Sequence, residues 1–277
     1  MTQKKRTKKT SVKIPPRMMI AAAGAVLALL LILIIGGNKK NAVSLLELQA
    51  GLNFLEQQEQ KNPDVVRQAR QALYTRRMEE QKDELLAAVE SGDLDPFSLF
   101  QDYAVLGDSR AVGFSFWDCL DSDRVLAGSG NNIRTIPDNH EDLKALKPSY
   151  VYLCFGINDC GIGFWETGEE YAAEYVETVR ELQRLLPDAT IIVSSIPPAQ
   201  DPAFELSTDW YDIPDWNVAV EAACKEAGIL FANCDSVFEE HSDLYDIDGV
   251  HFQSTLYPYW AGELIVTALY GGVTNET

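Results

Sequence analysis

The chain has little histidine, no paired-cysteine motif and, beyond its first residues, little positive charge. Three histidines and five cysteines occur among 277 residues. Cys119, Cys154, Cys160, Cys224 and Cys234 form no C-x-x-C pair and no Cys/His ligand spacing, which excludes the common zinc and redox motifs. No metal or cofactor is expected. An odd cysteine count leaves at least one unpaired in a monomer. Cys154, in a strongly apolar run, reads as a small buried hydrophobe, while Cys224–Cys234 or Cys154–Cys160 are the disulfides open to a chain outside the cell. Seven of the 23 Lys and Arg residues fall in 1–17, so the remaining sixteen stand against 42 acidic side chains, a net of −26. A body so acidic repels nucleic acid and anionic lipid, and no nucleic-acid partner is expected.

The basic tail is explained by the segment next to it. Residues 18–37 (MMIAAAGAVLALLLILIIGG) are uncharged and overwhelmingly apolar, and they match the ~20 residues a helix needs to cross a bilayer. Positive charge concentrated before this run places the N-terminus in the cytoplasm and the rest of the chain outside. The run is longer than a signal-peptide core and no A-x-A-like cleavage site comes after it. The expectation is a single-pass cell-membrane protein with its body extracellular.

Residues 41–95 are expected to form a helical stalk or a packed helical pair. Segments 42–61 and 64–91 are rich in Leu, Ala, Gln, Glu and Arg, with Asn62-Pro63 between them, and a proline suits the first turn of the second helix. Val66, Ala69, Leu73, Leu85, Leu86 and Val89 give an interrupted apolar stripe, which disfavours a coiled-coil dimer. From residue 96 the pattern changes. Short apolar runs recur at 103–106, 124–127, 150–155, 190–194 and 229–233, with helix-like stretches at 169–186, 216–227 and 257–270. Such alternation predicts a three-layer α/β/α sandwich around a parallel sheet over 96–277. In open sheets of this kind ligands bind beyond the C-terminal strand ends.

Chemistry-bearing residues fall on that predicted edge. Asp102–Phe114 reads as a buried strand stopped by Gly107-Asp108-Ser109, with a helix starting at once. Acyl transfer through a serine hydroxyl requires a base, an acid to orient the base, and donors for the oxyanion. His140 and His241 lie in polar stretches. His251 comes three residues after Asp248, so one turn can bring the carboxylate to the ring. Tyr150–Asp159 is a second buried strand ending in Gly156-Ile157-Asn158-Asp159, where Asn158 offers a neutral amide donor. Gly128-Ser129-Gly130-Asn131 ends a third apolar run, and a glycine N–H there faces the same pocket.

Taken in order, these blocks make the sequence resemble the SGNH hydrolases, also called the GDSL esterase/lipase family. The resemblance covers residues 100–271. It implies Ser109 as nucleophile, His251 as base, Asp248 as its partner, and Asn158 with Gly130 as oxyanion donors, Gly128 being the reserve glycine. It also implies the flavodoxin-like sandwich of that family. Arg110 stands where the family usually carries Leu or another apolar residue; an exposed position in the first helical turn is expected for it, with contact to an anionic substrate as the alternative. The resulting expectation is a serine esterase removing short acyl groups, acetyl above all, from a small molecule or a cell-envelope or environmental glycan. Trp210, Tyr211, Trp216, Tyr257, Tyr259 and Trp260 supply either sugar-stacking surfaces or ordinary core. An O-acyltransferase, a lipase or phospholipase, and a silent binding module are the rival functions; no large apolar lid supports a lipase, and a silent module has no need of all four site residues.

Overall fold

The computed structural model describes residues 49–53 and 63–271. The basic tail and the apolar segment 18–37 lie outside them, and among the described residues no helix is long and apolar enough to cross a membrane. The chain divides after Arg70 into two units. In the first, residues 49–53 are helical and a long helix, α1 (Pro63–Glu90), begins. In the second, the last turns of α1 are an integral part of the domain: Val89 is buried, and a Cβ on Gly262 would stand 3.4 Å from Leu86 Cδ2. Leu73 and Tyr74 remain exposed, so the apolar stripe is used only at the C-terminal end of the helix.

Five parallel strands come next, in the spatial order β2-β1-β3-β4-β5: β1 (Tyr103–Gly107), β2 (Val125–Ala127), β3 (Tyr150–Cys154), β4 (Thr190–Ser194) and β5 (Leu230–Ala232). Each is close to its expected position, and the reason is visible in the side chains. A strand covered on both faces has no polar alternation to show. Ala104, Leu106, Val151, Leu153, Ile191 and Val193 enter one apolar layer with Tyr171, Tyr175, Val179 and Leu182 of α5 (Gly168–Leu185) and Val220 of α6 (Ile213–Ala227). Their neighbours Tyr103, Val105, Tyr152, Cys154 and Ile192 enter the other. There they meet Phe114 of α2 (Ser109–Phe116), Phe238 of α7 (Asp235–Glu240), and Trp260 and Leu264 of α8 (Tyr257–Tyr270). The period of two along each strand thus divides the core into two layers.

The helices begin and end on local chemistry. Thr167 caps α5 by accepting the Glu170 N–H (3.2 Å), with Glu169 and Glu170 in the first turn where the helix dipole favours them. Gly228 closes α6 in the left-handed conformation (φ 70°), and Ile229 N–H reaches back to the Cys224 carbonyl. Three short helices lie where the sequence predicted none: α3 (His140–Leu146), α4 (Ile157–Ile162) and α7. All five cysteines are free thiols; Cys154 is buried as expected, and neither Cys224–Cys234 nor Cys154–Cys160 is bonded.

Candidate active site

Register brings three loop starts together. Gly107, the last residue of β1, pairs with Ala127 of β2 on one side and Cys154 of β3 on the other. Asp108, Gly128 and Phe155 therefore leave the sheet side by side. Two backbone bonds continue the ladder past the strand ends: Asp108 N–H donates to Cys154 O (3.1 Å) and Gly128 N–H to Gly107 O (3.2 Å). Gly107 itself admits no side chain, since a Cβ would overlap Ala111 Cβ and the Cys154 carbonyl.

Asp108 is the N-cap of α2, its Oδ1 accepting the Arg110 N–H (2.9 Å). Ser109 is consequently the first residue of the helix, where main-chain N–H groups lack intrahelical acceptors. Its Oγ lies 2.9 Å from His251 Nε2, and His251 Nδ1 lies 2.6 Å from Asp248 Oδ2. Asp248 Oδ1 accepts the N–H groups of Val250 and His251, both at 2.9 Å. Burial alone would raise the Asp248 carboxyl, but the His251 ring and these two N–H donors hold it below the usual carboxylate value. The carboxylate is thus ionised at neutral pH and accepts the Nδ1–H, which leaves Nε2 as the proton acceptor facing the serine. Both side chains are 44% exposed, so the serine–histidine pair sits in an open edge rather than a closed cavity.

The Asp248–His251 turn owes its shape to Gly249. At φ 71° a Cβ there would collide with the Gln200 carbonyl, and Gln200 N–H donates to Gly249 O (2.8 Å). The turn is closed by Asp246 N–H to His251 O (2.7 Å) and by Tyr245 Oη donating to Pro198 O (2.8 Å). The neighbouring carbonyl, Pro197 O, accepts Arg110 Nη1 (2.6 Å). Residues 197–200, in the loop that follows β4, are thus a shared support for the serine helix and the histidine turn.

Arg110 is neither an exposed first-turn residue nor a contact for an anionic substrate. It is 1% exposed, paired with the wholly buried Asp108 (Nη2 to Oδ2, 3.4 Å), and its own carbonyl accepts the Tyr257 hydroxyl (2.8 Å). Its role in the sequence was hidden because a buried arginine has no local pattern; only the tertiary contact with Pro197 reveals it.

Asn158 lies in the first turn of α4. It donates one amide hydrogen to Asn131 O (2.8 Å), which leaves its second N–H as a free donor. Gly156 just before it has φ 142° and no room for a Cβ beside Ile196. Of the two candidate glycines, Gly128 has its N–H engaged with Gly107 O, whereas Gly130 is exposed at φ 78° and its N–H donates to no protein acceptor among the described residues. Of the two, Gly130 is thus the one with an uncommitted N–H. The other two histidines stand apart. His140 starts α3, and His241 stacks on Tyr259 (3.7 Å between centroids) with Nε2 3.3 Å from Glu90. Among the aromatics, Trp216, Tyr257 and Trp260 are buried core. Trp210 donates Nε1–H to Ile157 O (2.8 Å), and Tyr211 is exposed and stacked on Phe204.

A parallel α/β sheet with a serine, a histidine and an aspartate hydrogen-bonded in series at its C-terminal edge defines a class, the serine hydrolases. Residues 105–257 match the model of the GDSL-like Lipase/Acylhydrolase family. The chain belongs to that family and is a serine ester hydrolase. Similar solved structures include a lipase/acylhydrolase from Enterococcus faecalis (16% identity, 62% of this chain and 96% of that chain, TM-score 0.49). A carbohydrate esterase family 3 protein from Talaromyces cellulolyticus gives 18% identity over 64% of this chain and 100% of that chain, TM-score 0.47. An acetylxylan esterase from Geobacillus stearothermophilus gives 22% over 63% and 94%, TM-score 0.39. No curated protein matches the sequence.

Proposed function

We propose that the protein is a membrane-anchored, extracytoplasmic esterase that hydrolyses short acyl esters, acetyl foremost, on a glycan of the cell envelope or its surroundings. The observation that carries the chemistry is the continuous line from Ser109 Oγ through His251 to Asp248. Ser109 attacks the ester carbonyl while His251 Nε2 takes its proton. The N–H groups of Ser109 and Gly130 and the free amide hydrogen of Asn158 receive the developing oxyanion, and His251 then protonates the departing alcohol. Water, activated by the same histidine, attacks the acyl-Ser109 ester, releases the acid and restores the serine.

The substrate class is argued from shape and place. A half-exposed histidine and aspartate suit an ester that projects from a polymer, with no enclosed apolar channel required of the acyl chain. The apolar run 18–37 after a basic tail supplies the anchor and sets the catalytic domain outside the cytoplasm. A series of p-nitrophenyl esters and acetylated sugars tests the reading on the full chain. Turnover is expected with acetyl esters and a kcat/KM that falls as the acyl chain lengthens. A preference for long acyl chains contradicts it, and acetyl groups appearing on an added glycan acceptor would make the enzyme a transferase.

A further inference from the structure

Asn158 and Asp159, consecutive at the start of α4, hold one loop between them. Asn158 donates to Asn131 O (2.8 Å), and Asp159 Oδ1 accepts the Ile133 N–H (3.0 Å). The segment so clamped leads directly out of Gly130. Beyond it, Asn132 caps the next turn, its Oδ1 accepting the Arg134 N–H (3.0 Å) and its carbonyl the Thr135 N–H and hydroxyl. Upstream, Ser129 and Gly130 are both exposed. A glycine in the left-handed region has no side chain to fix its peptide, so the direction of its N–H is set by what holds the chain on either side.

Asp159 is an expensive way to make one backbone bond. Its side chain is wholly buried, and Oδ2 has no hydrogen-bond partner among the described residues; the same is true of the Tyr171 and Tyr175 hydroxyls on α5. Burial pushes the Asp159 carboxyl up to about 7. An apolar side chain would pack at this place without that cost, but it has no acceptor for Ile133.

We propose that Asp159 is a positioning residue that, by holding the Ile133 N–H, directs the Gly130 N–H at the acyl oxygen bound over Ser109. It acts through the loop and touches no reacting atom. The inference rests on Ser109 as nucleophile and Gly130 as oxyanion donor. Its test counts functional sites with a fluorophosphonate and expresses kcat per labelled serine, for wild type, Asp159→Ala and Asp159→Asn of the full chain.

Asp159→Ala should lose about 10²-fold in kcat with little change in KM, the scale of one misplaced oxyanion donor. Asp159→Asn keeps a carbonyl oxygen for Ile133 and should restore kcat to near wild type. A purely structural carboxyl would lower the thermal midpoint of both variants and leave kcat per site unchanged, and that result overturns the proposal. If Asp159→Ala yields no folded protein, Asp159→Ser, too short to reach Ile133, carries the same comparison. Failure of both to fold also overturns it. Wild type that hydrolyses esters without labelling Ser109 sinks the underlying assignment instead, and so separates the two failures.

Discussion

A serine beside a histidine is useful only if both are held, and here the holding is done by residues that never meet substrate. Arg110 is the principal one, since it neutralises the buried Asp108 cap and spans to Pro197 O at the foot of the histidine turn. Arg110→Leu substitutes the residue type usual in the family but leaves Asp108 and Pro197 O without their partner. Removing one member of a buried pair costs about 3–5 kcal/mol, so chemical denaturation should show a loss of that order with an unchanged m-value; a loss under about 1 kcal/mol, the range of an exposed pair, would mean the pair is solvated. The approach of Ser109, Asp248 and His251 to one another was legible in the sequence because each comes after a strand or precedes the last helix within a short motif. Arg110 and Asp159 were not legible in their roles. One lies two residues from its ionic partner but 87 from its carbonyl, and the other reaches across 26 residues to Ile133.

The strands were the most readable elements, since double-sided burial writes continuous apolar runs such as 150–155 and 190–194. The short helices were the least. His140–Leu146, Ile157–Ile162 and Asp235–Glu240 span six or seven residues each, too few to show a helical repeat, and tertiary packing rather than propensity maintains them. The element most exposed to single-residue damage is the turn that carries Asp248 and His251. Gly249→Ala forces a Cβ into a left-handed position and against the Gln200 carbonyl, a combination that costs more than about 1 kcal/mol. It should lower both the thermal midpoint and kcat, because relief of the clash displaces the turn from residues 197–200. A variant with wild-type kcat and midpoint would show the turn to be free of that contact.

At the scale of the whole molecule, burial raises several carboxyls of this acidic domain, Asp159, Asp235 and Glu263 among them, and Asp159 contributes a pH dependence of stability that can be read. The folded Asp159 carboxyl titrates at about 7 against an ordinary 3.8. Between those values the folded chain keeps a proton that the unfolded chain releases, so stability falls as pH rises through that window, and the full cost is present above about 7. Asp159→Asn removes this contribution. Its thermal midpoint relative to wild type should therefore be higher at about pH 8 than at about pH 5; an equal difference at both would show that the carboxyl ionises without penalty. The sheet order, the two apolar layers and the alignment of the site on one edge all come from the same double-sided strands.

The central claim is that Ser109 carries the acyl group and that His251 makes it reactive. Mass spectrometry of the full chain after exposure to a fluorophosphonate tests it most directly. One adduct is expected, on the peptide containing Ser109, absent in Ser109→Ala and slowed by on the order of 10³-fold or more in His251→Ala, as loss of the base requires. Adduct on another residue, or equal labelling of wild type and Ser109→Ala, would contradict the claim.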